Sequence, residues 1–476
     1  MLVVAAVTAL AGALRLTELD RPHRKVFDEV YYASDGCWRA GIDFRECGLE
    51  SDGERSWVHP PLGKQLISLG IHGFGNDPFG WRVGAAVAGM LTVGMVGLLA
   101  FLLFRNELWA AVAALLLATE HLHFVQSRIA MLDVFLAMFV VLGFLLLVVD
   151  RRAREPARPV VAGGSGELER PWWASGTRLR EPEREAPDEP EPLPAPREQW
   201  LWRPWLFLAG AAFGAAIAVK WSGVLALAGG AALAMGWDLA RLVRRGRSPG
   251  WAGRWAGASL ASFFSFAYIP FLVYLATWIP WFIDRGFDLG QWATHHVDMA
   301  RFHINLETET SGGEPIHPYM SRAWSWFLLT RPVAYYWQGD PDCCREILGV
   351  GNPLLFLGAL AVVPYLLLVR WRDWRAWTSL VPILFQYLPW LIITRPLFLF
   401  YMTPVTPFLA LAMTHGLREI SGADALHRRR LAPAAGVVLA VSLMTFLYLW
   451  PLLVGSPLSR SAWEARIVNA GIWNWV

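Results

Sequence analysis

At 476 residues with 55% hydrophobic side chains, the chain is too apolar for a soluble domain and long enough for many membrane spans. Its 42 basic and 39 acidic side chains leave a formal net charge of +3, and they cluster between apolar runs, so their placement informs more than their sum. Nucleic-acid binding has no support in that balance, and the composition is that of an all-α polytopic membrane protein.

The first apolar run, 1–14, reaches roughly two thirds of a bilayer core at about 1.5 Å per residue. It either tilts into a thinned region or lacks residues upstream of Met1; a cleaved signal peptide is disfavoured because no basic stretch precedes it. Further runs of spanning length lie near 81–104, 108–124, 130–149, 203–219, 222–240, 255–282, 350–369, 376–393, 396–416 and 431–454, giving about eleven spans. Many of the 27 tryptophans, Trp81, Trp109, Trp278 and Trp371 among them, sit at run ends, where indoles anchor at headgroup level. Arg151-Arg152, Arg241 to Arg247, Arg370-Trp371-Arg372 and Arg428-Arg429-Arg430 fall in alternate connections, which the positive-inside rule assigns to the cytoplasm. Loops 15–80 and 283–349 are then on the outer side and are expected to carry short helices lying along the membrane. Residues 150–200 mix acids and prolines with too few apolar side chains for a core, and predict a disordered cytoplasmic linker. With no internal repeat of fixed period and no separate soluble domain, 1–476 reads as a single membrane domain.

The first outer loop holds an acid pair in Phe27-Asp28-Glu29-Val30-Tyr31-Tyr32, then Val58-His59-Pro60-Pro61-Leu62-Gly63-Lys64. An aspartate before Glu29-Val30-Tyr31-Tyr32 is also a good helix N-cap, and acids favour a first turn. Location favours chemistry over capping, because a carboxylate beside a membrane surface, in a loop with His59, can deprotonate a bound hydroxyl. The same reasoning places Cys37, Cys47, Cys343 and Cys344 outside the cytoplasm, where a Cys37–Cys47 disulfide is permitted.

Arg15, Arg128, Lys220, Arg331 and Arg395 lie at the outer ends of the spans, where topology does not favour positive charge. Snorkelling accounts for any one of them; together they point to an anionic ligand such as a lipid phosphate. Asp133 lies just inside an apolar run, a costly depth that implies a bundle interior or polar cavity. The second outer loop carries His295-His296, His303 and His317-Pro318-Tyr319. Adjacent histidines diverge on a regular helix and no HExxH pattern is present, so no metal is expected.

In order along the chain, Phe27-Asp28-Glu29, His59 to Lys64, Ser127-Arg128 through Asp133, Lys220-Trp221-Ser222-Gly223, His317-Pro318-Tyr319 through Trp324-Ser325-Trp326, Arg331-Pro332-Val333, Gly351-Asn352-Pro353 and Phe400-Tyr401-Met402 resemble the protein O-mannosyltransferase family in its bacterial branch. The resemblance spans nearly the whole chain. It implies a GT-C glycosyltransferase bundle in the plasma membrane, its site on the extracytoplasmic side, and inverting transfer of mannose from a polyprenyl-phosphate-mannose donor to Ser/Thr hydroxyls of exported proteins. No cofactor is implied; membrane lipids and the protein export machinery are the further partners. Asp28 and Glu29 match the family's catalytic acid pair, with Asp28 as base, Glu29 orienting it or the peptide, and His59 binding acceptor or sugar. Arg128 is the first choice for the departing phosphate, followed by Lys220, Arg15 and Arg395; His317 and Arg331 carry motifs favouring a protein acceptor. A transferase of the same fold serving a lipid or glycan acceptor, and a membrane transporter, are the rival readings.

Overall fold

The computed structural model describes residues 1–155, 200–246, 249–310, 313, 315–339, 343–421 and 428–475. Helix α1 (Leu2–Leu16) runs into the first loop, which folds into α2 (Glu29–Arg39) and α3 (Leu62–Phe74). Then α4 (Pro78–Phe104) begins at an Asp77 N-cap, with Pro78 in its first turn. The run near 108–124 is broken at Thr119-Glu120 into α5 (Glu107–Ala118) and α6 (His121–Gln126), and α7 is Asp133–Ala153. The 21 residues of α7 cover roughly 30 Å, the thickness of a hydrocarbon core.

Next come α8 (Pro204–Val219) and α9 (Gly223–Arg245), then α10 (Trp251–Phe263), which passes through a π-helical turn into α11 (Ile269–Thr277). α8 lies tight against that turn: a Cβ at Gly210 would sit 2.0 Å from the Ser265 carbonyl oxygen. Small residues at such crossings let helix backbones approach without a hydrophobic drive from water. Short α12 (Ile279–Arg285) and α13 (Leu289–Ile304) occupy the second loop, and α14 (Pro353–Val369), α15 (Trp374–Tyr387), α16 (Thr406–Ile420) and α17 (Arg428–Val454) complete the bundle. Among the described residues five helices are long and apolar enough to cross a membrane, and α1, α5, α8 and α14 are shorter apolar helices. The runs expected at 376–393 and 396–416 are α15 and α16, joined by irregular chain through two 3-10 turns, Leu388–Leu391 and Leu399–Met402.

The all-α expectation needs correction. In the second loop β1 (Val333–Gly339) and β2 (Cys343–Gly349) form an antiparallel hairpin, Trp337 facing Glu346, and β3 (Leu458–Ser459) adds to β2 near the C-terminus, beside the short α18 (Arg460–Glu464). Val333-Ala334-Tyr335-Tyr336-Trp337 is β-branched and aromatic, which suits a half-buried pleated surface.

The bundle has two chemically distinct ends. At one, Arg151 lies over Trp374 (4.2 Å) and Trp237 (4.9 Å), and Arg370 pairs with Glu419, so the arginine-rich connections converge. Residues 150–153 of the expected linker are the last turn of α7, and 156–199 lie outside the described residues. Both flanks of that segment are anchored, with Arg203 pairing with Asp150 (2.5 Å) and with Asp238, and Arg154 with Asp238 (2.8 Å). The start of α7, the α8–α9 junction, the first loop, α13 and the hairpin gather at the other end.

Candidate active site

Asp28 stands at the N-cap position of α2, yet its side chain makes no capping hydrogen bond. The carboxylate is therefore available, and it receives a hydrogen bond from the Tyr32 hydroxyl one turn along the helix. Burial raises the Asp28 carboxyl to about 6, against the pull of the Lys220 ammonium; nearby Asp133 adds to the rise and the Tyr32 hydrogen bond opposes it. The preceding Phe27 is held at φ 47°, a left-handed conformation costing a non-glycine residue about 1–2 kcal/mol. Its ring is edge-on to Tyr335 (5.2 Å), His317 (5.7 Å) and Phe400 (5.9 Å), and this aromatic box holds the strained turn and aims the next side chain.

Glu29 does not face the same pocket. It is fully buried, forked onto Arg82 (2.8 and 2.9 Å), and accepts the backbone N–H groups of Val26 and Ala130. Arg82 also donates to the carbonyls of Leu19, Pro22 and Arg24, so this pair clamps residues 19–30 onto α4 and onto the turn before α7. Lys64 is likewise internal, bonded to Glu54 (2.6 Å) and the Ser56 carbonyl, and Cys37 and Cys47 are joined in a disulfide.

The cations divide into two groups. Arg128 donates to the carbonyls of Leu14, Arg15, Thr17 and Glu18, capping the C-terminus of α1, where a cation complements the helix dipole. Arg15 is fully buried between the Ala11 carbonyl and His123. Arg331 ties the Pro318 carbonyl to that of Asn474, and His317 accepts the Tyr319 N–H. Of the cations expected to meet an anion, Arg128 and Arg331 donate to backbone carbonyls, while Arg15 is buried on the Ala11 carbonyl and His123 with its Nε left without a hydrogen-bond partner.

Lys220 and Arg395 form the second group, lining a cavity of about 520 Å³ together with His59 and His303. Lys220 bonds both oxygens of Asp133 (2.9 and 3.0 Å) and lies 4.6 Å from the Tyr401 ring. This gives the buried Asp133 its partner and fixes the ammonium at the α8–α9 break. Arg395 donates to His303 Nδ1 (2.9 Å), so Nε2 carries the ring proton and donates to the Val58 carbonyl (3.0 Å). Burial holds His303 down near 4, and burial with the nearby Lys220 holds His59 well below its ordinary range, so both imidazoles are neutral at pH 7. Apolar Val224 and Leu225 at the start of α9 complete the wall. Asp28 is not itself in the cavity lining but stands behind it through Tyr32, which packs against His59 (5.7 Å); two cations, neutral imidazoles and an apolar flank can hold an anion on a lipid, and the carboxylate can take a proton from a hydroxyl.

Tyr32, Arg82 and Tyr401 are not among the site residues the sequence assigns, and His303 enters there only as one of several histidines of the second outer loop. Tyr32 had a readable signal, being four residues from Asp28 on one helix face, and Arg82 had another, a cation just inside an apolar run.

The family described as the C-terminal four TMM region of protein-O-mannosyltransferase matches residues 289–470, and dolichyl-phosphate-mannose-protein mannosyltransferase matches 72–159. The polyprenol-phosphate-mannose–protein mannosyltransferase of Mycolicibacterium smegmatis is 33% identical over 97% of this chain and 91% of its own length. That of Mycobacterium tuberculosis is 32% identical over 98% and 89%. Among solved structures, the Saccharomyces cerevisiae Pmt1-Pmt2 complex bound to the sugar donor superposes with a TM-score of 0.74 at 14% identity, covering 100% of this chain and 92% of that one. ArnT of Cupriavidus metallidurans bound to undecaprenyl phosphate gives 0.52 at 18%, covering 94% and 63%; at these identities the likeness is one of fold.

Proposed function

This chain belongs to the protein O-mannosyltransferase family, and from that premise we propose that it transfers mannose from a polyprenyl-phosphate carrier to Ser or Thr hydroxyls of exported proteins. The acceptor oxygen bonds to the anomeric carbon as the bond to the phosphate oxygen breaks. The hydroxyl proton passes to Asp28, and the electron pair leaves with the polyprenyl phosphate. One displacement from the face opposite the phosphate inverts the anomer. The observation that carries this reading is the uncapped Asp28 carboxylate, poised near 6 beside Lys220, since a base works best with a pKa near the operating pH.

The leaving phosphate, a monoester with a second pKa of about 6, departs without a general acid when cations meet its growing charge. Arg395 and Lys220 take this role in place of Arg128 and Arg15. Asp133 keeps Lys220 in place, neutral His59 is positioned to bond a sugar or acceptor hydroxyl, and Glu29 acts at one remove by locking the loop. His317 supports Phe27, and Arg331 braces the loop beneath it.

The chain forms one GT-C domain of about eleven spans in the bacterial plasma membrane, with its site on the extracytoplasmic side. Arginine-rich connections at the far end and a disulfide at the near end support that orientation. Acceptors then reach the site as they emerge from the export machinery. The test is transfer of hexose from polyprenyl-phosphate-mannose to a Ser/Thr peptide by purified protein, followed by mass spectrometry. Asp28→Asn is expected to lose roughly 10²–10⁴-fold in rate while still binding the lipid donor; wild-type turnover in that variant removes Asp28 from the mechanism.

A further inference from the structure

We infer that the arginine-rich end of the bundle holds a binding site for an anionic phospholipid, in which the Arg151 guanidinium meets the headgroup phosphodiester. This end lies opposite Asp28, so the site stands apart from the mannosyl-transfer reading and does not rest on it. Several arginines here are neutralised within the protein. Arg152 donates to the carbonyls of Leu102 (2.7 Å) and Leu103 and to Glu155 (2.8 Å). Arg154 and Arg203 share Asp150 and Asp238, Arg370 and Arg418 share Glu419, and Arg375 pairs with Asp373 (2.9 Å).

Arg151 differs. Among the described residues it forms no ion pair, and its buried Nε has no hydrogen-bond partner. It sits in a corner made by Trp237 and Trp374, which meet edge to face (5.7 Å), its guanidinium 4.9 and 4.2 Å from the two rings. Cation–π contact orients a guanidinium and stabilises it without neutralising it. The like charges of Arg152, Arg241 and Arg244 also act on Arg151, and the carboxylate that opposes them, Glu155, is already bonded to Arg152. Positive charge thus converges on one indole corner.

Position says what the anion belongs to. Arg151 lies in the last turn of α7, a helix long enough to span, and Trp237, Arg241 and Arg244 share one face of α9, which is another. Indoles settle at headgroup level, the depth of a phosphodiester. Leu239 and Val243, in the same turns of α9, are 49% and 66% exposed and offer acyl chains an apolar surface beside the cations. A soluble anion has no use for that flank, whereas a lipid has. A planar guanidinium presents paired N–H donors that match phosphate oxygens, and basic pockets between helix ends suit anionic headgroups.

The test is lipid binding to the full-length protein in detergent, followed by native mass spectrometry, with phosphatidylglycerol as the anionic probe and phosphatidylcholine as the zwitterionic one. Wild type is expected to bind phosphatidylglycerol the more tightly. Arg151→Gln is expected to weaken phosphatidylglycerol roughly tenfold, the worth of a charge-assisted contact, and to leave phosphatidylcholine unchanged. Arg244→Gln, at an exposed position, is expected to weaken it several-fold. Arg372→Gln, at the same end but with its charge over Trp371 (4.7 Å), is expected to have no effect. An unaltered unfolding midpoint without added lipid shows that the variants fold. Equal wild-type affinity for the two lipids overturns the inference, as does an unchanged phosphatidylglycerol affinity in both Arg151→Gln and Arg244→Gln, or a loss in Arg372→Gln as large as in Arg151→Gln. Displacement of the lipid by inorganic phosphate gives the site to a soluble anion, and binding seen only after Glu181, Glu183 and Glu185 are changed to Gln gives it to the chain's own acidic stretch; either result also overturns it.

Discussion

Asp28 and Glu29 are adjacent carboxylates with opposite work: one keeps its charge available, the other spends its whole hydrogen-bonding capacity on Arg82, Val26 and Ala130. Removing Glu29's charge leaves the Arg82 guanidinium buried without its counter-ion, so Glu29→Gln is expected to lose about 3–5 kcal/mol of stability. The check is the thermal unfolding midpoint in detergent, where Asp28→Asn stays close to wild type while losing turnover. Arg128 and Arg395 make a second contrast. Arg128→Ala is expected to weaken folding through the frayed end of α1 and to leave donor affinity in the folded fraction near wild type. Arg395→Ala is expected to weaken donor binding by roughly tenfold or more, because a charge-assisted contact is worth about 1.5–3 kcal/mol. Titration with polyprenyl-phosphate-mannose separates the two. Residue type and position in the sequence pointed to all these cations alike, since only the fold decides whether a guanidinium turns toward a helix terminus or toward a cavity.

Among the elements, α2 and the turn before it carry the chemistry in the proposed mechanism, and the turn is built under strain. Phe27 holds its left-handed backbone because its ring is boxed by Tyr335, His317 and Phe400, two of which come from the second loop and one from the 3-10 turn before α16. Distant segments thus converge on one dihedral angle, which no local pattern reveals. The far end of α2 is tied by the Cys37–Cys47 bridge, a short loop of sequence separation 10. Closing a loop of that size removes about 3 kcal/mol of unfolded-chain entropy. A Cys37→Ser, Cys47→Ser double variant is expected to unfold correspondingly earlier, and purified wild-type protein should show no free thiol at either position by mass spectrometry after alkylation. The long apolar runs were legible in outline because hydropathy alone specifies them. The β1–β2 hairpin was not: its strands sit in a loop rich in Trp, His and Pro, and the aromatic run at 333–337 resembles membrane anchoring as much as a strand.

For the molecule as a whole, charge and hydropathy made the two ends legible before any geometry did. The Arg151-Arg152 and Arg370-Trp371-Arg372 connections meet around Trp374 and Glu419, while Asp133 and Lys220, 87 residues apart, close on each other at the opposite end. That long-range closure could not be read from either run alone, although Asp133's depth signalled that a partner existed. The proposed outward-facing orientation is tested with a membrane-impermeant thiol reagent applied to intact cells, which is expected to label a cysteine placed at Trp57 and to spare one placed at Arg372; the reverse pattern would invert the topology. The assembled site stands or falls on Asp28 acting as the base, and the pH dependence of kcat/KM reads that directly. With a carboxyl near 6, log kcat/KM is expected to rise with unit slope below about pH 6 and to level off above it, an inflection that disappears from the residual activity of Asp28→Asn. A wild-type profile flat from about pH 4.5 to 7.5, or the same inflection persisting in Asp28→Asn, would contradict the account.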